Sequence, residues 1–448
     1  MATSPREFKK GLYLEHLDEA SFLYTQRLAL LKDSEIPWPD LDSFEQRLEA
    51  HLDALVIGGE LALRQCMQQL VENGEPGVLF AAVSVFCRQQ LSDLLAEALK
   101  RFDHADPAQL VALALALRWD MPDDWTPFVE RALTRDDARL IDALASVAGH
   151  RRLPIVPALL QAYAARPSAA VAGALGRLRC TQARPAFESA IASGDAALRT
   201  AALLALVQSG SNEALKATYL VAQVERWPRH LLALAGDTAA SDVLVGIVHA
   251  GKATPDCLLA LGLLGDLAAM RTLFHCLSVP ECAGAAAQGL NWATGANLFE
   301  AKFEPDKVKE DELFESELIA WREQRRAPMR LDGQPFGKQV KALSTDPDVW
   351  KRWLAGNMTR FDAQRRYRHG APYSPATLVE TLRDSRADRR LRRFSGLELQ
   401  IRYGCDVPFE TDMPVRAQLS ALNRMDEWAQ QHAARFVPGD WYFNGEPQ

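Results

Sequence analysis

A repeat of about thirty residues is the feature that most constrains how this chain can fold. Apolar segments rich in alanine and leucine recur between residues 80 and 300. At the end of each segment the apolar pattern is interrupted, and we call this point a break. The breaks are 30, 30, 31, 26, 29 and 30 residues apart. They lie at Trp119, Gly149, Arg179, Gly210, Gly236, Gly265 and Gly295. A period of about 20–50 residues indicates an array of small repeats, each unable to bury its apolar face alone. We therefore predict an array with an extended surface suited to binding.

The spacing of apolar residues within a repeat predicts two helices. In the third repeat four residues spaced i, i+3, i+4 and i+7 form one helical stripe: Val171, Ala174, Leu175 and Leu178. A second helix follows each break, often with a proline in its first turn, where proline is tolerated. Small residues dominate the stripes, so we expect Ala174 and Ala205 to face a closely packed neighbouring layer. Ser211, in the turn after a break, is expected to tolerate a larger side chain.

The rest of the chain is predicted to divide around this array. We expect a helical cap over residues 1–75, the array over 76–300, an acidic hinge over 301–345 and a basic helical module over 346–448. Between residues 351 and 403 there are thirteen Lys and Arg against five Asp and Glu, in a chain of formal net charge −7. This local segregation of charge is more informative than the total. Two interpretations stay open: the basic segment is an interface, or it folds back on the acidic run Glu304–Glu317.

Two short motifs carry a resemblance to a known type of repeat. The repeats are shorter than standard HEAT or armadillo repeats of about 40–47 residues, and the Thr-Pro-Leu-His of ankyrin repeats is absent. Gly173–Leu178 (GALGRL) and Leu259–Asp266 (LALGLLGD) resemble the short HEAT-like repeats named after bilin lyases. The resemblance covers about half of the chain. It implies an all-α fold, an α-solenoid of helix-pair repeats.

Three further segments resemble an uncharacterised proteobacterial family of HEAT-repeat proteins from end to end. They are Leu14–Arg27, Arg47–Gly59 and Pro438–Pro447. This resemblance implies a soluble bacterial protein and an association with type VI secretion. It supplies no activity and no site residues.

No pattern typical of a catalytic or cofactor site stands out. The His-Glu dipeptides that bind iron in deoxyhypusine hydroxylases do not occur, and neither phosphate-binding glycine pattern is present. His275, Cys276 and Cys282 could supply three metal ligands but lack a fourth. His16 and His51 each begin a His-Leu-Asp tripeptide in one of two predicted helices, and together they could form a pair of metal ligands. For both groups an ordinary structural role is favoured, so we predict no enzyme, no cofactor and no metal.

The composition favours a cytoplasmic protein. The longest apolar runs are about eight residues, whereas spanning a bilayer takes about twenty. The N-terminal region has no apolar segment like that of a secretory signal. Seven scattered cysteines without a Cys-x-x-Cys pair fit reduced thiols in a cytoplasm.

We predict a non-catalytic protein-interaction scaffold or adaptor. The candidate partner-binding residues are seven arginines of the basic module: Arg365, Arg366, Arg368, Arg386, Arg389, Arg390 and Arg393. The alternative is a nucleic-acid-binding protein resembling helical-repeat DNA glycosylases, since arginines beside Tyr367, His369 and Tyr373 could contact phosphates and stack on bases. The array shows no matching basic stripe, which makes a protein the favoured partner.

Overall fold

The computed structural model describes residues 4–33, 35–101, 103–330 and 332–448. These residues are mostly α-helical, and their six short strands form three two-stranded sheets. The predicted all-α class is therefore confirmed.

The helices are numbered in chain order. The N-terminal region contains α1 (Pro5–Leu30), α2 (Asp42–Ile57) and α3 (Gly59–Glu72). The middle of the chain contains α4 (Pro76–Arg88), α5 (Ser92–Ala98), α6 (Pro107–Asp120), α7 (Thr126–Ala132), α8 (Ala138–Arg151), α9 (Val156–Ala165), α10 (Ala169–Arg177), α11 (Arg184–Ala190), α12 (Ala196–Gln208), α13 (Asn212–Val224), α14 (Arg229–Ala235), α15 (Thr238–Ile247), α16 (Pro255–Leu264), α17 (Met270–Cys276) and α18 (Pro280–Thr294). The remainder contains α19 (Glu315–Gln324), α20 (Pro347–Asn357), α21 (Pro375–Arg383), α22 (Arg389–Tyr403) and α23 (Val415–Gln431).

The strands pair two by two. They are β1 (Phe299–Pro305), β2 (Gly337–Leu343), β3 (Tyr367–Arg368), β4 (Ala371–Pro372), β5 (Tyr442–Phe443) and β6 (Glu446–Pro447). β1 and β2 are antiparallel, with Phe299 opposite Leu343 and Pro305 opposite Gly337. This hairpin and α19 occupy the stretch that was expected to be an acidic hinge.

The chain divides into two compact units. The first consists of residues 1–243 and 372–448, and the second of residues 244–371. The stretch predicted as the C-terminal module, 346–448, thus contributes to both.

Helix ends follow the period of the sequence. Each predicted break lies within two residues of the end of an even-numbered helix between α6 and α18. Gly265 and Gly295 cap α16 and α18 with φ of 68° and 63°, the left-handed conformation in which glycine carries no Cβ penalty. The sequence pattern therefore located these helix ends, while the solenoid arrangement itself stays a prediction.

Small residues allow consecutive helices of the first compact unit to approach closely. Helices α4, α6, α8, α10 and α12 pack each against the next. A Cβ added at Gly149 of α8 would lie 2.7 Å from the Cα of Ala174, and one at Gly176 of α10 would lie 2.8 Å from the Cα of Ala205. The predicted burial of both alanines is confirmed.

The expectation for Ser211 is wrong. Its side chain is buried and its hydroxyl accepts a hydrogen bond from the Ala214 amide at 3.2 Å, so it is the N-cap of α13. A larger apolar residue here would lose the cap.

A hydrophobic core within the first compact unit brings together residues from the N-terminal and C-terminal parts of the sequence. Trp38 and Leu41 pack with buried residues of α21, α22 and α23, among them Leu378, Leu399 and Leu422. This contact explains why residues 372–448 belong to the same unit as the N-terminal region.

Candidate functional site

A groove of about 600 Å³ lies between α1, α6 and α8 in the first compact unit. Its floor is formed by α6 residues at successive helical turns: Pro107, Leu110, Val111, Ala114 and Leu115. Leu28 and Leu31 line one side, and Ala143 and Ser146 of α8 line the other. Val111 is 50% exposed, so the floor is open to a ligand.

The sequence of α6 explains why this floor exists. Pro107 occupies the first turn, and the Asp106 carboxylate accepts a hydrogen bond from the Ala108 amide at 2.8 Å, so the helix start is well defined. The helix is apolar on nearly all sides, a composition typical of a helix that is completely covered. Here α4 and α8 pack on α6, and the stripe that they leave uncovered becomes the groove.

Basic side chains surround the groove. Four cations and two carboxylates line it: Lys32, Arg118, Arg139, Arg389, Asp142 and Asp412. Both carboxylates are ion-paired, Asp412 with Arg118 at 3.2 Å and Asp142 with Arg166 at 3.1 Å.

The other three cations, Lys32, Arg139 and Arg389, have no carboxylate partner in the part of the chain that the structure describes. Arg139 donates to the carbonyl of Ala105 at 2.9 Å, and Arg389 to that of Leu31 at 3.2 Å. The rim is therefore electropositive above an apolar floor.

The segment between α22 and α23 closes one end of the groove. The buried Arg27 guanidinium donates to the carbonyls of Asp412 and Met413 at 2.9 and 3.1 Å and to the Glu45 carboxylate at 2.7 Å. Glu45 also accepts from the Val415 amide at 2.6 Å, at the start of α23. Burial raises the pKa of Glu45, and the Arg27 charge opposes this. These bonds hold Asp412 in place beside Arg118.

A row of basic residues at successive helix ends continues beyond Asp412. Arg118, Arg152 and Arg177 stand at or just after the ends of α6, α8 and α10. Arg177 donates to the Glu410 carboxylate at 2.6 Å. Coulombic attraction by Arg177 contributes to a lowered pKa for Glu410, against the effect of burial. His150 lies among these charges, and burial together with Arg118 lowers its pKa to about 4.

This row is not an exposed basic stripe, because its three arginines are half-buried and Arg118 and Arg177 are paired with Asp412 and Glu410. The row is not visible as a charge cluster in the sequence, because these arginines are about one repeat apart. The signal was present, since each arginine lies within three residues of a predicted break.

The seven arginines predicted from the sequence do not form one site. Arg365, Arg366 and Arg368 belong to the second compact unit, whereas the other four belong to the first. Arg366 and Arg368 are fully buried and donate to the carbonyls of Leu264 and Leu263 at 2.8 and 2.6 Å. They satisfy carbonyls at the end of α16 that have no partner within the helix. This corrects the prediction for these two residues, which are enclosed and cannot contact a partner.

The remaining predicted arginines belong to the first compact unit, as the groove does. Arg386, Arg389, Arg390 and Arg393 are exposed. Arg389 is part of the rim, and Arg393 lines a small cavity of about 50 Å³ that also includes Arg152, Arg177 and Glu410. Arg386 pairs with Asp384 at 3.3 Å.

The histidine and cysteine candidates are brought together only in part. His16 and His51 are half-buried and their Nδ1 atoms are 3.0 Å apart, so these side chains contact each other across α1 and α2. Cys276 and Cys282 are buried free thiols whose pKa is raised by burial. Among the described residues, no group of three or more His, Cys, Asp or Glu side chains is placed to hold a metal ion.

None of the helices in the described residues combines the length and the apolar character needed to cross a membrane. Comparison with protein-family models gives no match, and comparison with curated proteins gives none either. The candidate functional site of the described residues is the groove with the charges at its rim.

Proposed function

We propose that the protein is a non-catalytic interaction scaffold or adaptor that binds a protein partner in the groove between α1, α6 and α8. The observation that supports this is an open apolar floor beneath three cations without a carboxylate partner, within the described residues. A volume of about 600 Å³ lies within the range of about 300–1,000 Å³ typical of ligand sites. Exposed apolar surface rimmed by polar residues commonly marks an interaction site.

The two parts of the groove have different roles in this proposal. The apolar floor supplies the free energy of binding, because partner side chains that cover Leu110 and Val111 leave water. The cations at the rim select an acidic partner and accelerate its approach. A partner with an apolar ridge flanked by Asp or Glu fits both.

The helix ends that follow a thirty-residue period support a scaffold. A repeat array is a frequent platform for binding along an extended surface. The HEAT-like resemblance and the association with type VI secretion are part of the same proposal and are tested by the identity of the partner.

The test is capture of the partner with a matched pair of variants. Val111→Glu places a carboxylate on the floor of the groove, and Ile57→Glu places the same change at a site that is 85% exposed on α2. We expect a tagged chain, expressed in the native cell beside an untagged copy and read by mass spectrometry, to recover one partner, the untagged copy included, with wild type and Ile57→Glu and to lose it with Val111→Glu. Equal recovery with both variants would remove the groove from the proposal.

A second measurement tests the nucleic-acid alternative. Wild type is mixed with random duplex DNA at physiological salt, beside a variant carrying Arg389→Glu and Arg393→Glu. We expect no tight binding by either protein. Tight binding by wild type that the double reversal abolishes would favour the nucleic-acid function.

A further inference from the structure

We propose that the acidic helix α19 of one copy of this chain binds in the groove of a second copy. The inference rests on the proposed function and names the partner: the chain itself. It is carried by the match between the groove and α19 in polarity, charge and length.

Helix α19 exposes an apolar stripe. None of its ten residues is buried. Phe314, just before its first residue, is 78% exposed and Ile319 is 53% exposed. Phe314, Leu318 and Trp321 stand at i, i+4 and i+7 and so share one face. Leu318 and Trp321 are half-buried and Phe314 is exposed, so this face still has apolar surface that a bound partner would cover.

The ends of α19 are fixed locally, so the helix is preformed for binding. The Phe314 amide donates to the Glu317 carboxylate at 2.9 Å, which satisfies a backbone donor at the N-terminus. Arg325 ends the helix in the left-handed conformation. A preformed helix loses less conformational entropy on binding than a disordered peptide does.

The charge of α19 is opposite to that of the groove. Residues 310–324 contain six carboxylates: Glu310, Asp311, Glu312, Glu315, Glu317 and Glu323. Arg322 pairs with Glu310 at 2.7 Å, and Lys309, just before this stretch, pairs with Glu312 at 2.6 Å. Arg325 and Arg326 follow it, so residues 309–326, with six carboxylates and four cations, have a net charge of −2. The rim offers Lys32, Arg139 and Arg389, which have no carboxylate partner among the described residues.

The lengths also agree. The α6 stripe from Pro107 to Arg118 extends about 16 Å at about 1.5 Å per residue, and α19 extends about 15 Å. A helix that binds in a groove presents anchors at i, i+3 or i+4, and i+7. The stripe of Phe314, Leu318 and Trp321 has this spacing.

Such a contact joins two different surfaces and is head-to-tail. Each copy bound through its groove still has its own α19 free, so association can continue. A surface that pairs with itself would stop at a dimer. This difference makes the proposal testable by mixing variants.

The experiment uses two full-length variants, each with one half of the contact removed. The groove variant carries Val111→Glu and Arg139→Glu, and the helix variant carries Phe314→Glu and Leu318→Glu. Val111, Arg139 and Phe314 are exposed and Leu318 is half-buried, and circular dichroism and melting establish that both variants fold like wild type. Ile57→Glu is the matched control.

We expect sedimentation velocity to show concentration-dependent association of wild type and of Ile57→Glu. Each double variant alone should be weakened roughly tenfold or more. An equimolar mixture of the two should form a dimer, at twice 49.6 kDa, and nothing larger. The intact groove of one variant then holds the intact helix of the other.

Three results would overturn the inference. They are a wild type that stays monomeric at all accessible concentrations, association that the variants do not weaken, and a mixture that fails to form the dimer. A labelled peptide of residues 309–326 adds an independent measurement: its binding to wild type, lost in the groove variant, supports the contact. Peptide binding by a chain that stays monomeric would overturn the role of a second copy.

Failure of the inference and failure of the proposed function are separable. If wild type is monomeric while Val111→Glu still loses a cellular partner, the scaffold function stands and α19 is not the occupant. If neither self-association nor partner capture depends on Val111, both proposals fail.

Discussion

Helices α4 and α19 are similar in length and opposite in surroundings. Eleven of the thirteen residues of α4 are buried, whereas none of the ten residues of α19 is. The first helix is stabilised by the neighbours that cover it, and the second by its caps and by exposed charges. The same secondary structure is thus part of the packed core in one region and exposed to solvent in the other. Substitutions in the buried region should therefore change stability more than substitutions on α19.

The largest expected effect is at the buried ion pair of the first compact unit. Arg27→Met should lower the free energy of unfolding by about 3–5 kcal/mol, because it leaves Glu45 buried without its cation. Its matched control is Arg322→Met beside α19, where the pair with Glu310 is exposed. Such exposed pairs contribute little. Denaturant unfolding followed by circular dichroism measures both, and equal effects would contradict the contrast.

A pH dependence of stability is the next effect in size. The pKa of buried His150 is lowered from 6.5 to about 4, so the unfolded chain binds the proton more readily than the folded one. Stability from this group is complete above pH 6.5 and is lost as the pH falls to about 4, on the order of 3 kcal/mol. His150→Asn should flatten the unfolding free energy in this interval. A slope that the substitution leaves unchanged would show that other groups cause it.

A smaller effect is expected where two helices approach closely. Ala205→Leu adds volume beside Gly176 and should cost about 1–3 kcal/mol. Ser316→Leu adds the same kind of side chain to an exposed position of α19 and should leave the melting midpoint unchanged. If the two variants melt alike, the packing of α10 on α12 is not as tight as described.

No effect is expected from chelation. Dialysis against EDTA should leave helicity and melting temperature as they were, since no group of three metal-ligating side chains lies together among the described residues. A cooperative loss of structure that zinc restores would overturn this and return attention to His16 and His51.

Local rules predicted much of the fold. Gly265 and Gly295 were recognisable as helix ends because a left-handed C-cap favours glycine. Ala174 and Ala205 were recognisable as buried from their helical spacing. Ser211 was misjudged because a turn position and an N-cap look alike when only the neighbouring sequence is read.

The candidate site was less predictable because its contacts are distant in sequence. Arg118 and Asp412 are 294 residues apart and meet only in the folded chain. Arg366 and Arg368 look like part of an exposed basic cluster in the sequence. Nothing in the neighbouring sequence shows that their side chains donate hydrogen bonds to carbonyls of α16. Charge density alone therefore did not separate arginines that bind a partner from those that complete a core.

The core that joins Trp38 and Leu41 to α21–α23 has a consequence for biosynthesis. A ribosome adds about 5–20 residues per second, so roughly 15–65 s pass between the emergence of residue 41 and that of residue 372. During this interval Trp38 and Leu41 lack the cover that α21–α23 provide, and the nascent chain exposes that side of them to chaperones and proteases. The rate at which the central helices are translated should therefore determine how long Trp38 and Leu41 remain without the cover of α21–α23.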